Sequence, residues 1–488
     1  MNNIFDKLKN YSDSDYYAFH MPGHKRNLDL MDGTSPYRID ITEIDGFDDL
    51  HHAEGILRDA QERAARVYHA DETHFLVNGS TVGILSAILG TTEKGDSILV
   101  ARNCHKSVYH AIYLNELDPV YLYPKFDTEQ GLSTEIDVAD VQKALEEHPK
   151  IRAVMIVSPT YDGVVSDIEK IAEIVHAKGC PLIVDEAHGA HFGFDPYFPK
   201  SANIYGADLV INSLHKTLPA LTQTALLHVN GDMVKRRKVK QYLDMLQTSS
   251  PSYILMASID ACIGMLEETL ETHSDARSDY KYKNIFSEYA NRIEALRKDL
   301  KRLKYLKIIQ TDNTDRYDRS KFVISVKHAP MSSHELYEIL LHRYHLQMEM
   351  LAGTYVLAMT TVGDTQEGLD RLRDALLEID KEIDTRQGRP AAIETDLPLS
   401  GRQPALEKVW TIAEAVNRRD KIQKRSFEDS IGCISVEYAY LYPPGSPLIV
   451  PGERITKEAV EILHWYQEHD FSIEGLQSED GIEVWIDG

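Results

Sequence analysis

Short, unbroken apolar runs alternate with segments of helical periodicity through the first half of the chain. The runs are SILVA at 97–101, PVYLY at 119–123, AVMIVS at 153–158, PLIVD at 181–185, DLVIN at 208–212 and ALLHV at 225–229. Glu54 to Tyr68, Ser80 to Leu89 and Asp167 to Lys178 instead space their apolar residues three and four apart, as with Ile168, Ile171, Ala172, Ile174 and Val175. Strands that are apolar throughout, separated by helices, predict a mainly parallel sheet covered on both faces. The alternation starts near residue 54, after irregular Pro- and Gly-bearing sequence. We therefore expect an N-terminal arm over 1–53 and a large α/β domain over 54–250. Helical patterns then dominate, in Ser258 to Leu270 and Tyr289 to Leu303, before the apolar run KFVISV at 321–326. This predicts a smaller α/β domain over 251–385. Residues 386–404, RQGRPAAIETDLPLSGRQP, have the composition of a linker, and 405–488 are expected to form a C-terminal α+β domain.

Composition narrows the function classes. A chain of 488 residues is long for one hydrophobic core, and 43% hydrophobic with 27% charged residues is ordinary for a soluble globular protein. The 53 basic and 77 acidic side chains leave a net charge of −24, which repels phosphate backbones and anionic lipid. Neither nucleic acid nor a membrane is expected as a partner. No stretch approaches the roughly 20 apolar residues of a membrane span, and the start lacks a signal-peptide core, so a cytoplasmic protein is expected. Cys104, Cys180, Cys262 and Cys433 are scattered without a C-x-x-C pair, which predicts reduced packing residues with no zinc site or disulfide scaffold.

Three constellations could carry chemistry. Val77-Asn78-Gly79-Ser80-Thr81 leads an apolar run into a helix, where free N–H groups and hydroxyls suit a phosphate, although a plain helix cap would read the same way. Asp185-Glu186-Ala187-His188-Gly189-Ala190-His191 follows the strand PLIV, which puts Asp185 where open α/β sheets bind ligands. A helicase-type DEAH box is excluded, because the chain has no Gly-Lys dipeptide and hence no phosphate loop of that kind. A metal site on His188 and His191 lacks a third ligand, so none is expected. The third is INSLHKTL at 211–218, where Lys216 stands at the end of a buried strand; such a lysine is either a solvated loop charge or a nucleophile. A strand-end Asp, a phosphate cradle and a strand-end Lys in one doubly wound domain are together what pyridoxal phosphate requires.

With these pieces in place, the chain resembles the fold-type-I pyridoxal-phosphate enzymes (aminotransferase-like fold), and among them the bacterial Orn/Lys/Arg decarboxylases. The resemblance rests on FHMPGHK at 19–25, TEIDGFDDLH at 42–51, NGST at 78–81, RNCHKS at 102–107, SPTYDG at 158–163, DEAHGAH at 185–191, SLHKTL at 213–218 and YPPGSPLIVPGE at 442–453. It implies that Lys216 is the Schiff-base lysine and that Asp185 pairs with the pyridinium nitrogen. Gly79, Ser80 and Thr81 would cradle the phosphate, with Ser213 and His215 joining them. His105 would stack on one face of the ring and Ala187 pack on the other, with His188 beside the ring hydroxyl. Glu453 is the family-position candidate for contacting a cationic substrate, against the alternative of a surface carboxylate beside a Pro-Gly turn. The larger family members carry a wing domain before PGHK, and here that motif begins at residue 22. The resemblance therefore implies a homodimer or a dimer of dimers, with the active site at the interface. The expected substrate is a small basic amino acid, L-arginine first, giving agmatine for polyamine biosynthesis, with lysine and then ornithine as alternatives. Another fold-type-I reaction such as transamination, or a non-catalytic amino-acid or polyamine sensor, remains open.

Overall fold

The computed structural model describes residues 13–20, 23–25, 27, 40–271, 281–309, 316–385, 403–418, 420–442 and 445–486. Residues 386–402 of the expected linker, and residues 1–12, 21–22, 26 and 28–39 of the expected arm, lie outside the described residues.

Seven strands form the main sheet: β1 (Glu72–Leu76), β2 (Ser97–Ala101), β3 (Asp118–Leu122), β4 (Ile151–Val157), β5 (Leu182–Asp185), β6 (Leu209–Asn212) and β7 (Ala225–Val229). Their order is β1-β7-β6-β5-β4-β2-β3. From β3 to β6 every neighbouring pair is parallel, while β7 runs antiparallel to both β6 and β1. Every residue of β5 and of β6 is buried, which accounts for their purely apolar cores. The pairing of Asp185 with Ile211 puts the C-terminal ends of these two strands side by side.

Helices α1 (Ile56–Tyr68), α2 (Gly79–Thr91) and α4 (Ile168–Ala177) fall close to the periodic segments, and α3 (Lys106–Leu114) is a helix that the pattern did not reveal. Helix α2 is seated tightly between the sheet and the helix Arg236–Leu246, because a Cβ on Gly83 would lie 2.7 Å from a Leu76 methyl and one on Gly90 would lie 2.6 Å from Val239. Close seating fixes where its first turn points. A four-residue helix, α5 (Leu214–Thr217), follows β6 and carries Lys216.

Beyond residue 250, helices Tyr253–Glu271, Ile285–Leu300, Ser333–His342 and Gln366–Thr385 accompany a four-stranded sheet. Its longest strands are β8 (Lys321–Ser325) and β9 (Tyr355–Met359), and all its pairings are antiparallel. The C-terminal unit has two three-stranded sheets and the helix Lys457–Glu468 around a separate core that includes Leu448, Leu463, Ile482 and Val484.

The PGHK region braces the lysine turn. The Gly23 N–H donates to the His215 carbonyl at 2.6 Å, and the Thr361 hydroxyl donates to the Gly23 carbonyl at 2.6 Å. A Cβ on Gly23 would lie 2.7 Å from the Leu218 carbonyl oxygen, so only glycine fits between β9's loop and α5. Lys25, buried, donates to the Met359 and His20 carbonyls.

Candidate active site

The ends of β5 and β6, the start of α2 and the start of α3 surround a cavity of about 570 Å³. Gly79, Ser80, Thr81, Ser213, His215 and Lys216 line it on the α2 and α5 sides. Asp185, Ala187, His188 and His105 line it as well. Helix α2 has no side-chain cap: Gly79 takes a positive φ of 72°, and the Asn78 side chain is drawn off to accept the Thr248 N–H at 3.2 Å. The plain-cap reading of this turn therefore gives way to an open, electropositive helix start. The Ser80 and Ser213 hydroxyls hydrogen-bond to each other, tying that helix start to the lysine turn.

Burial sets the charge states. Asp185 is pushed up by burial, against the pull of Lys216 and of the Ala187 N–H that it accepts at 3.1 Å. Lys216 is pushed down by burial, against the pull of Asp185 and Glu349. His105 is lowered to about 4 by burial and by the neighbouring Lys216 and Lys106. Its Nδ1 accepts the Ser107 N–H at 3.2 Å, which leaves the ring proton on Nε2. His215, also lowered by burial, donates from Nδ1 to the Thr224 carbonyl at 2.9 Å, so its Nε2 can donate to an anion only when the ring is protonated. The Tyr161 ring packs on His188 with centroids 4.5 Å apart.

All the residues expected around a cofactor thus border one cavity, and Glu453 does not. It is fully buried away from the cavity lining, bonded to Arg102 Nη2 at 2.7 Å and accepting the Val450 N–H at 2.9 Å. The expectation that it meets a cationic substrate is corrected: its carboxylate is the counter-charge of an equally buried guanidinium, which joins the C-terminal unit to the end of β2. His191, the other half of the metal alternative, is bonded to Asp318 at 3.1 Å. Among the described residues no cluster of three or more His, Cys, Asp or Glu side chains could hold a metal ion.

Pattern reading missed several groups at this site. Tyr161 and Asp162 lie inside the quoted SPTYDG motif and line the cavity; Asp162 accepts the Tyr355 hydroxyl at 2.5 Å, and burial lifts its carboxyl to about 6. Lys321, fully buried, reaches His188 from β8. Its one local signal is a lysine heading an apolar strand.

These donors fit pyridoxal phosphate. An uncapped helix start with three nearby hydroxyls suits a dianionic phosphate, a buried carboxylate suits a protonated pyridine nitrogen, and a half-buried lysine amine of lowered basicity suits an aldehyde.

Comparison with known proteins agrees. A family model described as "Orn/Lys/Arg decarboxylase, major domain" matches residues 2–339, and one described as "Orn/Lys/Arg decarboxylase, C-terminal domain" matches residues 402–484. The chain is 36% identical to the uncharacterized protein YaaO of Bacillus subtilis over 94% of this chain and 93% of that protein. It is 31% identical to an arginine decarboxylase of the same organism over 94% of this chain and 92% of the relative. Among solved structures, the lysine decarboxylase LdcF of Francisella novicida superposes with a TM-score of 0.79 at 18% identity, covering 98% of this chain and 80% of that one, which speaks to the fold.

Proposed function

The chain belongs to the Orn/Lys/Arg decarboxylase family and is a pyridoxal-phosphate-dependent amino-acid decarboxylase; from that premise we propose that it converts L-arginine into agmatine and carbon dioxide. The observation that carries the reading is that Lys216, Asp185 and the open start of α2 border one and the same cavity. The choice of arginine is supported by the four Bacillus and Halalkalibacterium relatives named arginine decarboxylase, at 31–32% identity over 92–97% of this chain. Asp162 and the nearby Glu349, whose carboxylate bonds the Tyr161 hydroxyl, supply negative charge beside the cavity for a cationic side chain.

Pyridoxal phosphate, when bound, supplies an aldehyde that engages the substrate amine and a ring that accepts the electron pair left as carbon dioxide departs. In this proposal Lys216 holds the cofactor, and Asp185 keeps a proton on the pyridine nitrogen. The start of α2, with Ser80, Thr81 and Ser213, binds the phosphate. His105 and Ala187 confine the ring between them. The neutral His105 ring adds no charge against a cationic pyridine, which follows from its acceptance of the Ser107 N–H. Decarboxylation consumes one proton at Cα, and in this proposal its delivery falls to Lys216 as an ammonium, the form it can take once it no longer holds the cofactor, with His188 3.2 Å from its Nζ. Burial of Asp185 and His188 strengthens the electrostatic contacts they make.

We extend the proposal to a homodimer, or a dimer of dimers, in which a neighbouring subunit completes the cavity wall. It is supported by Ile44, Phe47 and Ile56, which are 49%, 47% and 61% exposed along one stretch of chain. The division at 53, 250, 385 and 404 and a cytoplasmic location belong to the same proposal, the latter supported by four free cysteine thiols. Incubating the cofactor-loaded protein with equimolar L-arginine, L-lysine and L-ornithine and weighing the amines by mass spectrometry tests the substrate. Agmatine should dominate; a majority of cadaverine or putrescine would reassign it.

A further inference from the structure

His188 lies between two lysine amines. Its Nε2 is 3.2 Å from Lys216 Nζ, and its Nδ1 is 3.3 Å from Lys321 Nζ. The two lysines come from separate parts of the fold, Lys216 from α5 after β6 and Lys321 from the first position of β8. Lys321 is fully buried, so its contact with the ring is not an accident of a mobile surface side chain.

Hydrogen-bond arithmetic restricts the protonation of this trio. An ammonium group only donates, whereas a neutral imidazole offers one N–H and one lone pair. Two ammonium groups would need two lone pairs on the ring, and a protonated ring would bring three cations together. Burial and both lysines hold His188 neutral, well below its ordinary range. At most one lysine is therefore an ammonium donating to the ring, and the other is an amine able to receive the ring's N–H.

The counter-charges decide which is which. Lys321 stands in the field of Asp318, whose carboxyl is held at about 2 by His191, Lys321 and the Ser320 N–H against the cost of burial. Lys216 faces Asp185, which burial pushes the other way and which the cofactor's pyridine nitrogen would claim. The remaining charged and titratable groups acting on the trio are Asp162, Glu349 and Lys25 for the lysines, and His105, His215 and the packed Tyr161 ring for His188. Glu349 acts on both lysines and does not discriminate between them.

We propose that Lys321 is a positioning residue that acts through His188: it donates to Nδ1, confines the ring proton to Nε2, and so presents Lys216 Nζ with an N–H that holds it as an uncharged amine. An uncharged amine is the form that condenses with an aldehyde. Its nitrogen bonds the carbonyl carbon, and its two hydrogens leave with the carbonyl oxygen as water, with no change of oxidation state. The inference rests on the proposed function only in giving Lys216 to the cofactor.

The test uses the full cofactor-free chain with 15N-labelled histidine rings, the His188 signals being assigned by their loss in His188→Gln. The wild-type ring should show a protonated Nε2 and an unprotonated Nδ1. Lys321→Met should shift it toward the other tautomer, and Lys321→Arg, which keeps a donor, should restore it. Borohydride trapping of pyridoxal phosphate on Lys216, followed by peptide mass spectrometry across pH, gives the second readout. Loss of the Nε2–H restraint should raise the pH midpoint of trapping by about one unit in Lys321→Met, slowing it about tenfold near neutrality. A wild-type ring protonated on Nδ1, or a folded Lys321→Met with unchanged tautomer and trapping, overturns the proposal. Should Lys321→Met not fold, the wild-type tautomer decides alone. Agmatine formation with the wrong tautomer would sink the relay and spare the function, whereas the right tautomer without any amine product would do the reverse.

Discussion

Glu453→Ala removes the carboxylate opposite Arg102 and leaves a guanidinium with none of its surface exposed. Breaking a buried ion pair from one side costs about 3–5 kcal/mol. Arg102 would keep three supports, the Leu448 carbonyl at 3.1 Å and the Tyr121 and Tyr109 rings 4.6 and 5.9 Å from its guanidinium carbon, so the loss should fall toward the lower end. About 3 kcal/mol is roughly two orders of magnitude in the opening equilibrium of the C-terminal unit. That unit holds all three tryptophans, Trp410, Trp465 and Trp485, so urea titration followed by intrinsic fluorescence reports on it selectively. The midpoint should drop in Glu453→Ala, and an Arg102→Met/Glu453→Leu double variant should recover most of it by removing both charges. The KM for arginine should stay within about twofold, because Glu453 does not border the cavity. An unchanged midpoint with a KM raised tenfold or more would refute this reasoning and return Glu453 to the substrate.

Further outcomes follow from other contacts. Gly23→Ala places a Cβ against the Leu218 carbonyl and should cost about 1–3 kcal/mol while slowing uptake of pyridoxal phosphate, read by thermal melting and by absorbance on cofactor addition. Thr81→Ala, at the open start of α2, should weaken cofactor binding by about one to two orders of magnitude if its hydroxyl serves the phosphate, since hydrogen bonds to charged groups contribute about 1.5–3 kcal/mol; equal retention of cofactor on dialysis would count against that role. Glu186, fully buried, is raised to about 7 by burial, against hydrogen bonds from the Ala202 N–H, Asn212 and Ser201. A carboxyl raised in the folded state contributes stability that is full below its unfolded value near 4.3 and is lost as pH rises through about 7. The melting-temperature advantage of wild type over Glu186→Gln should therefore shrink between pH 5.5 and 8.5, and a gap that widens would reverse the sign.

How much of this was readable in advance depended on how local each cause is. β5 and β6 are buried on both faces, and that environment leaves only apolar residues to write in the sequence. β1 was missed because ETHFL reads as polar. Its Thr73 is satisfied by His228 across the antiparallel pair at 2.8 Å, a partner 155 residues away. Antiparallel pairing in the smaller sheet was equally invisible, since KFVISV has the same apolar content as a parallel strand. Asp185 and Lys216 stand at strand ends, where position alone suggests chemistry, and the family motifs supplied the rest. Lys321 carries no such mark: a lysine at the head of a strand reads as solvated, and the fold that buries it brings His188 from 133 residues away. For Glu453 the Pro-Gly turn pointed to the surface or to the substrate, and the partner that decides the matter, Arg102, lies 351 positions back in the chain.

The most direct test of the proposed reaction supplies L-arginine carrying carbon-13 at its carboxyl group to the protein loaded with pyridoxal phosphate, and follows both products. Labelled carbon dioxide and unlabelled agmatine should appear in equal amounts, and Lys216→Ala should abolish both. Label retained in a keto acid would convict the cavity of transamination instead, and a protein that binds the cofactor yet leaves arginine, lysine and ornithine untouched would contradict the decarboxylase reading altogether.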